Sequence, residues 1–364
     1  MDHLIEEYVG QRLAEVGVSE GSRLEKGAEV FLFELGDDFR RFGRRRDVFG
    51  SFGDFPKMVV VKKQRSSIPK TEFASWVSND PAERLENDGY LARLVRSYAR
   101  VHRQQYGEKM PLFDSVVPIV TDGGYYVQKI ARGERLDRVK GGSTFFRMYN
   151  FVAALAIFHA LMRPENVVGL PSVDHKKELE VICELNGWDF GKVRDVYSPF
   201  FAEFKNSVVA HNTLHWKNIF LAGKRNFVVL DWEVPALNVA QDDLVRSFEG
   251  PYGISDNQRN NLLCVYYAAE SLAHNLTSWE SKGFSMPIVS FEDKMRDPYF
   301  REFVYGYHMR SAVLNWWAFH HFKEQGKPNP GSRIGASFEA LKKAAEIKNA
   351  RNISKLERVL WHLS

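Results

Sequence analysis

The sequence predicts an α+β chain in two unequal parts, a small strand-rich segment over residues 1–133 and a larger, mainly helical one over 134–364. Three observations point there. The first segment carries short β-branched runs, such as Met58 to Lys63 (M-V-V-V-K-K) and Tyr125 to Ile130, punctuated by glycine-bearing turns. The second carries long stretches with apolar residues at helical spacing, such as F-F-R-M-Y-N-F-V-A-A-L-A-I-F-H-A-L-M after Thr144. At 364 residues and 44% hydrophobic content, the chain is long enough to enclose two cores.

Composition narrows the partners. Fifty basic residues against 46 acidic ones leave a net charge of only +4, a mixed balance that argues against a nucleic-acid partner. Cys183 and Cys264 sit in apolar helical contexts with no C-x-x-C pattern, so both are expected as buried free thiols in a reducing cytoplasm. The opening M-D-H-L-I-E-E-Y-V is acidic and lacks a basic n-region with an apolar core. No apolar run is long enough to span a bilayer, so no membrane partner is expected.

Taken in order, residues 2–16 place Leu4, Ile5, Tyr8, Val9, Leu13 and Val16 at helical spacing. Ser22 to Leu35 reads as two strand-like runs around Lys26-Gly27, a hairpin whose turn is either ordinary or a cradle for phosphate. Residues 36–57 are dense in arginine, glycine and phenylalanine. That composition suits an anionic partner but is more often a solvated insertion. Met58 to Lys63 is a compact strand whose alternation puts Lys62 and Lys63 on opposite faces. Pro81, after Asn79-Asp80, starts a helix whose buried stripe is Leu91, Leu94, Val95 and Tyr98.

Val116 to Val120 and Tyr125 to Ile130 form a second hairpin over Thr121-Asp122-Gly123-Gly124. Further helices cover Asn260 to Leu276, Phe303 to Phe322 and Ala336 to Leu360. Trp316, Trp317, His320 and His321 on the second of these suit either core or substrate contact.

The stretch Val208 to Glu233 carries the chemistry. Two apolar runs, Ile219 to Leu221 and Phe227 to Leu230, flank the turn Gly223-Lys224-Arg225-Asn226 and bring a histidine, an asparagine and an aspartate to the hairpin's edges. His211, position 213 and Asn218 follow the order H-x-D-x-x-x-x-N of a kinase catalytic loop, and Asp231 stands where a metal-binding aspartate belongs. Position 213 departs from that order. Thr213 is a neutral hydroxyl and cannot act there as a carboxylate base.

The run H-N-T-L-H-W-K-N followed by V-V-L-D-W-E resembles the aminoglycoside and choline kinase family of phosphotransferases, through His211, Leu214, His215, Asn218, Asp231, Trp232 and Glu233. The resemblance implies a bilobal protein-kinase-like fold, ATP and Mg²⁺ as cofactors, and a small-molecule acceptor. Asn218 and Asp231 would hold the metal through oxygen. Lys62 would pair the nucleotide phosphates, held by Glu86 or, one turn earlier, Glu83. A turn at Gly27 would cover the phosphates, and backbone near Gln128 to Ile130 would meet the adenine edge. Asp243-Leu244-Val245 would anchor the loop after the metal site. His159 resembles a family histidine, although a satisfied core histidine is the stronger reading.

Three consequences of Thr213 stay open. Losing a general base costs a rate factor of roughly 10² to 10⁴, leaving a slow kinase unless His215 or another group takes the proton, with His211 a structural residue of the loop. A pseudokinase would bind nucleotide and serve as a regulatory or interaction module. A kinase-like enzyme lacking this aspartate can instead transfer AMP.

Overall fold

Strand alternation sets the first sheet. Along β3 (Met58–Lys63), Val59 and Val61 are buried in the core, and Lys62 falls on the opposite face. With β1 (Ser22–Arg23), β2 (Val30–Glu34), β4 (Leu112–Asp114), β5 (Pro118–Asp122) and β6 (Tyr125–Lys129) named in chain order, this sheet runs β1-β2-β3-β6-β5. Each of its neighbouring strands is antiparallel. The computed structural model describes residues 22–23, 30–34, 58–64, 67–68, 77–78, 80–107, 110–122, 125–129, 131–138, 144–203, 207–223, 225–248, 254–273 and 290–348. The expected helix over 2–16, the Gly27 turn, the loop 36–57, Ile130 and the end of the last expected helix lie outside these residues.

Helix α1 (Pro81–Tyr106) starts as its sequence requires: Asp80 caps it, accepting the Ala82 N–H at 2.8 Å, and proline occupies the first turn. Leu91, Ala92, Val95, Tyr98 and Ala99 form its buried stripe. The sheet β4-β10-β9-β7, with β7 (Glu134–Arg135), β8 (Val208–Ala210), β9 (Ile219–Leu221) and β10 (Asn226–Val229), joins the two segments through the parallel β4–β10 pair. β11 (Ala236–Asn238) pairs with β8. Between the segments the chain passes Gly133, whose φ is +111°. A Cβ there would meet the Leu221 carbonyl oxygen at 2.3 Å, so glycine is required.

The rest is helical: α2 (Thr144–Leu161), α3 (His175–Asn186), α4 (Phe190–Glu203), α5 (Ala240–Phe248), α6 (Asp256–Ala273), α7 (Pro298–Glu324) and α8 (Gly331–Lys348). One core gathers α1, α2, β8–β10 and α5–α6 around residues such as Phe151, Phe158, Leu214, Trp232 and Tyr266. A second lies among α3, α4, α7 and α8 around Trp188, Tyr197, Trp316 and Trp317. Burying each such side chain contributes roughly 1.5–3 kcal/mol, so Trp316 and Trp317 are accounted for as core and His320 is buried beside them. His321 is exposed.

Candidate active site

β3 delivers Lys62 to a cluster of three carboxylates. Its Nζ lies 2.7 Å from Asp88 Oδ2, 2.5 Å from Asp231 Oδ1 and 2.5 Å from Glu233 Oε1. Asp88 is on α1, and the other two follow β10. The second oxygen of Asp88 accepts the Trp232 N–H at 2.8 Å, so one helix carboxylate grips both the strand lysine and the turn bearing Asp231.

The role expected of Glu86 therefore falls to Asp88. Glu86 is exposed, and Glu83 is engaged with the Ser78 hydroxyl at 2.7 Å. The reason is helical phase: two residues are about 200° of rotation, whereas Asp88 stands three and four positions before Leu91 and Ala92, on the buried face. An acidic residue on the apolar stripe was the available signal in the sequence. Glu233, which the sequence offers only as part of the D-W-E match, is the other member of the cluster.

Asn218 ends a short 3₁₀ turn (Trp216–Asn218). Its Nδ2 donates to Asp231 Oδ2 at 3.2 Å and to the Thr213 carbonyl at 3.5 Å, which leaves the amide oxygen free of both contacts. Asp231 itself adopts φ +69°, a left-handed conformation rare for a side-chain-bearing residue and concentrated at functional sites. Burial by itself would raise the Asp231 pKa, but the Lys62 ammonium outweighs it and holds the carboxyl well below the usual range. Glu233 goes the other way: burial and the charges of Asp231 and Asp88 raise it, against the pull of Lys62. Among the contacts described, one positive charge faces three carboxylates.

The donor chemistry fits a hard divalent cation. Ligand atoms of Asp88, Asp231 and Glu233 all lie within 4.8 Å of one another, and Asn218 adds an amide at Asp231. These are oxygen donors with negative charge in excess of the one lysine, as Mg²⁺ requires. The expected pair Asn218 and Asp231 is thus brought together, with the other two carboxylates beside it.

The loop before Asn218 is tied from below. Asp243, on α5, accepts the His211 N–H at 2.8 Å and the Asn212 N–H at 2.9 Å. His159 Nε2 is 3.2 Å from the same carboxylate, and its Nδ1 is 2.8 Å from the Tyr266 hydroxyl. His159 is therefore a satisfied core histidine and Asp243 a loop anchor, although it anchors the loop before the metal site and not the one after it. Burial opposes ionisation of Asp243, but the His159 hydrogen bond and the backbone donors hold its pKa below the ordinary value. Asn212 takes φ +61°, with its side chain donating to the Val234 carbonyl at 2.8 Å and accepting from Asn238 Nδ2 at 2.6 Å. These bonds fix a backbone conformation that asparagine tolerates better than most residues.

That reversal folds Thr213 back onto the His211 ring. Thr213 Oγ1 is 2.9 Å and its backbone N 3.3 Å from His211 Nδ1, and Oγ1 lies 3.4 Å from the Asp231 carbonyl. His211 Nε2 is 2.8 Å from the Leu230 carbonyl, and the ring packs on Trp232 at 4.5 Å. His215 is exposed, with a pKa lowered by partial desolvation despite the opposing Asp231 charge. Gln128 is a ladder residue of β6, in register with Val60 and Pro118.

Across the whole molecule, the arrangement matches a solved structure. The choline kinase of Cryptosporidium parvum superposes with a TM-score of 0.52 over 98% of this chain and 99% of its own, at 12% identity. This chain has the choline kinase fold. The choline kinase of Streptococcus pneumoniae, at 12% identity over 93% of this chain and 99% of its own, gives a TM-score of 0.48. A gentamicin-bound aminoglycoside phosphotransferase, at 12% identity over 85% and 95%, gives 0.44. No protein-family model matches the chain, and no curated protein matches it by sequence. Within this kinase fold, no helix among the described residues is long and apolar enough to cross a membrane.

Proposed function

We propose that this protein is an ATP-dependent phosphotransferase acting on a small-molecule hydroxyl. One observation carries the reading. Lys62 of β3 is far in sequence from the hairpin that carries Asn218 and Asp231, yet the lysine and the amide meet on the two oxygens of one carboxylate. A structural role alone does not require an amide, a lysine and three carboxylates in one place.

In this reading the nucleotide lies against Lys62, over the Asp88–Asp231–Glu233 cluster. Asp88 holds the lysine from the helix side, so it can exchange Asp231 for phosphate without leaving its place. Asp231 and the Asn218 amide oxygen would hold Mg²⁺, with Glu233 adjacent. Bound there, Mg²⁺ supplies charge neutralisation for the transferring phosphoryl group. Preorganised positioning and electrostatics account for most of the acceleration in this chemistry. Of the two cysteines expected to be buried, Cys183 is buried and Cys264 is only half-buried.

The test is transfer of γ-labelled phosphate from ATP and Mg²⁺ to choline, ethanolamine and gentamicin, the last a member of a class that lacks support from any dense acidic cluster in the C-terminal sequence. Labelled product with one of them, lost in Asp231→Ala, is the expected outcome. A second reading rests on Thr213: with a hydroxyl in the base position, the protein binds nucleotide as a regulatory module and transfers nothing. Nucleotide-dependent stabilisation with no labelled product from any acceptor would favour it. With α-labelled ATP in the same assay, label on product or protein would instead identify adenylyl transfer.

A further inference from the structure

Resting on the phosphotransferase reading, we propose that Thr213 and His211 form a proton relay in place of the missing carboxylate: the acceptor hydroxyl passes its proton to Thr213 Oγ1 while the threonine proton moves to His211 Nδ1. The ring nitrogens are assigned by their partners. The Leu230 carbonyl can only accept, so Nε2 carries the hydrogen and the neutral ring presents the Nδ1 lone pair to Thr213. With its own hydrogen on Nδ1 at 2.9 Å, the threonine oxygen keeps lone pairs for an incoming hydroxyl. The alternative acceptor, the Asp231 carbonyl, is farther away at 3.4 Å.

The contact is more than a loop tie needs. Asp243 already holds the backbone at His211 and Asn212, and although the Thr213 N–H also approaches the single Nδ1 lone pair, at 3.3 Å, the hydroxyl is closer to it at 2.9 Å. Thr213 is half-buried, with its hydroxyl near the Asp231 backbone, whereas His211 is fully buried behind it. His215, the alternative base named from the sequence, makes no contact of this kind among the described residues.

The step balances. The acceptor oxygen bonds to the γ-phosphorus as the bond from phosphorus to the β,γ-bridging oxygen breaks, and ADP leaves with that electron pair. One proton goes from the acceptor to Oγ1 and another from Oγ1 to Nδ1. His211 becomes an imidazolium whose Nε2–H still donates to Leu230, and the proton returns through Thr213 after product leaves.

The experiment measures ADP formation from ATP with Mg²⁺, first with water as the attacking hydroxyl and then with choline, beside ATP affinity by calorimetry. Thr213→Val is expected to lower kcat by about 10²- to 10⁴-fold, the usual worth of general-base catalysis, with ATP Kd unchanged, and Thr213→Ser to stay within about tenfold of wild type. In a Thr213→Asp background the carboxylate takes over, so His211→Gln should then cost less than about tenfold while costing as much as Thr213→Val in the native background. If His211→Gln does not fold, the threonine series decides alone. Retention of kcat by Thr213→Val overturns the relay, as does a wild-type protein that binds ATP and forms no ADP. Failure to bind ATP overturns the phosphotransferase reading itself, and calorimetry distinguishes it from failure of the relay.

Discussion

Replacing Lys62 with methionine removes the ammonium that lies against three carboxylates whose ligand atoms are within 4.8 Å of each other. The size of the effect follows from exposure. The Asp88 and Glu233 side chains are 4% and 13% exposed, so each is a buried charge, whereas Asp231 at 39% is screened by water. Removing one partner of a buried pair costs about 3–5 kcal/mol because the remaining charge is left uncompensated. The Asp231 pair adds no more than about 1 kcal/mol. A loss of about 3–5 kcal/mol is a large part of the ~5–15 kcal/mol that holds a typical domain together. Urea unfolding in EDTA should show it as a lower midpoint at unchanged slope. Because the carboxylates are then short of positive charge, Mg²⁺ should stabilise Lys62→Met more than it stabilises the native protein. A loss below about 1 kcal/mol, with no greater response to Mg²⁺, would refute the placement of Lys62 in this cluster.

Other outcomes follow from the same contacts. Glu86→Gln, at an exposed position, should change stability by less than about 0.5 kcal/mol while Asp88→Asn costs several times more, which urea midpoints would compare directly. Asp243→Asn places an amide donor against backbone N–H groups and should cost about 1–3 kcal/mol, read as a lower thermal midpoint together with weaker ATP binding. Gly133→Ala should cost at least about 2 kcal/mol, because its Cβ has nowhere to go against the Leu221 carbonyl; a neutral variant would contradict the close approach.

The raised pKa of Glu233 gives a pH prediction with a definite sign. A carboxyl whose folded pKa exceeds its unfolded value of about 4.3 favours the folded state below that pH, and the contribution is lost as pH rises through the folded value. In EDTA, Glu233→Gln should therefore be at least as stable as the native protein at neutral pH, with the difference closing or reversing near pH 4. A variant that is clearly less stable at neutral pH would show that Lys62 satisfies Glu233 in full.

The loop motif was legible because its chemistry is written at fixed spacing. His211, Asn218 and Asp231 sit on short elements between two strands, and the strands themselves follow from β-branched runs. Lys62 was legible for a similar reason, since alternation along β3 leaves one lysine facing away from Val59 and Val61. Asp88 follows from which face of α1 is buried and not from distance along the helix, which favours Glu86. The helices α3 and α4 were also passed over, although Asp174 caps α3 at one end and Gly187, at φ +70°, ends it at the other. The contact between Thr213 and His211 had no signal in the sequence. It depends on the left-handed turn at Asn212, which in turn depends on bonds to Val234, Asn238 and Asp243 that only the folded chain supplies.

The central claim is that Lys62, Asn218 and Asp231 form a nucleotide–Mg²⁺ site. Its most direct test is the thermal midpoint with ATP, with and without Mg²⁺, for the native protein and for Asp231→Ala. Binding to the folded state stabilises by mass action, by about 2.7 kcal/mol at a ligand concentration one hundred times Kd. The account predicts a rise in the midpoint that needs Mg²⁺ and disappears in the variant. No rise at millimolar ATP, or an equal rise in Asp231→Ala, would contradict it.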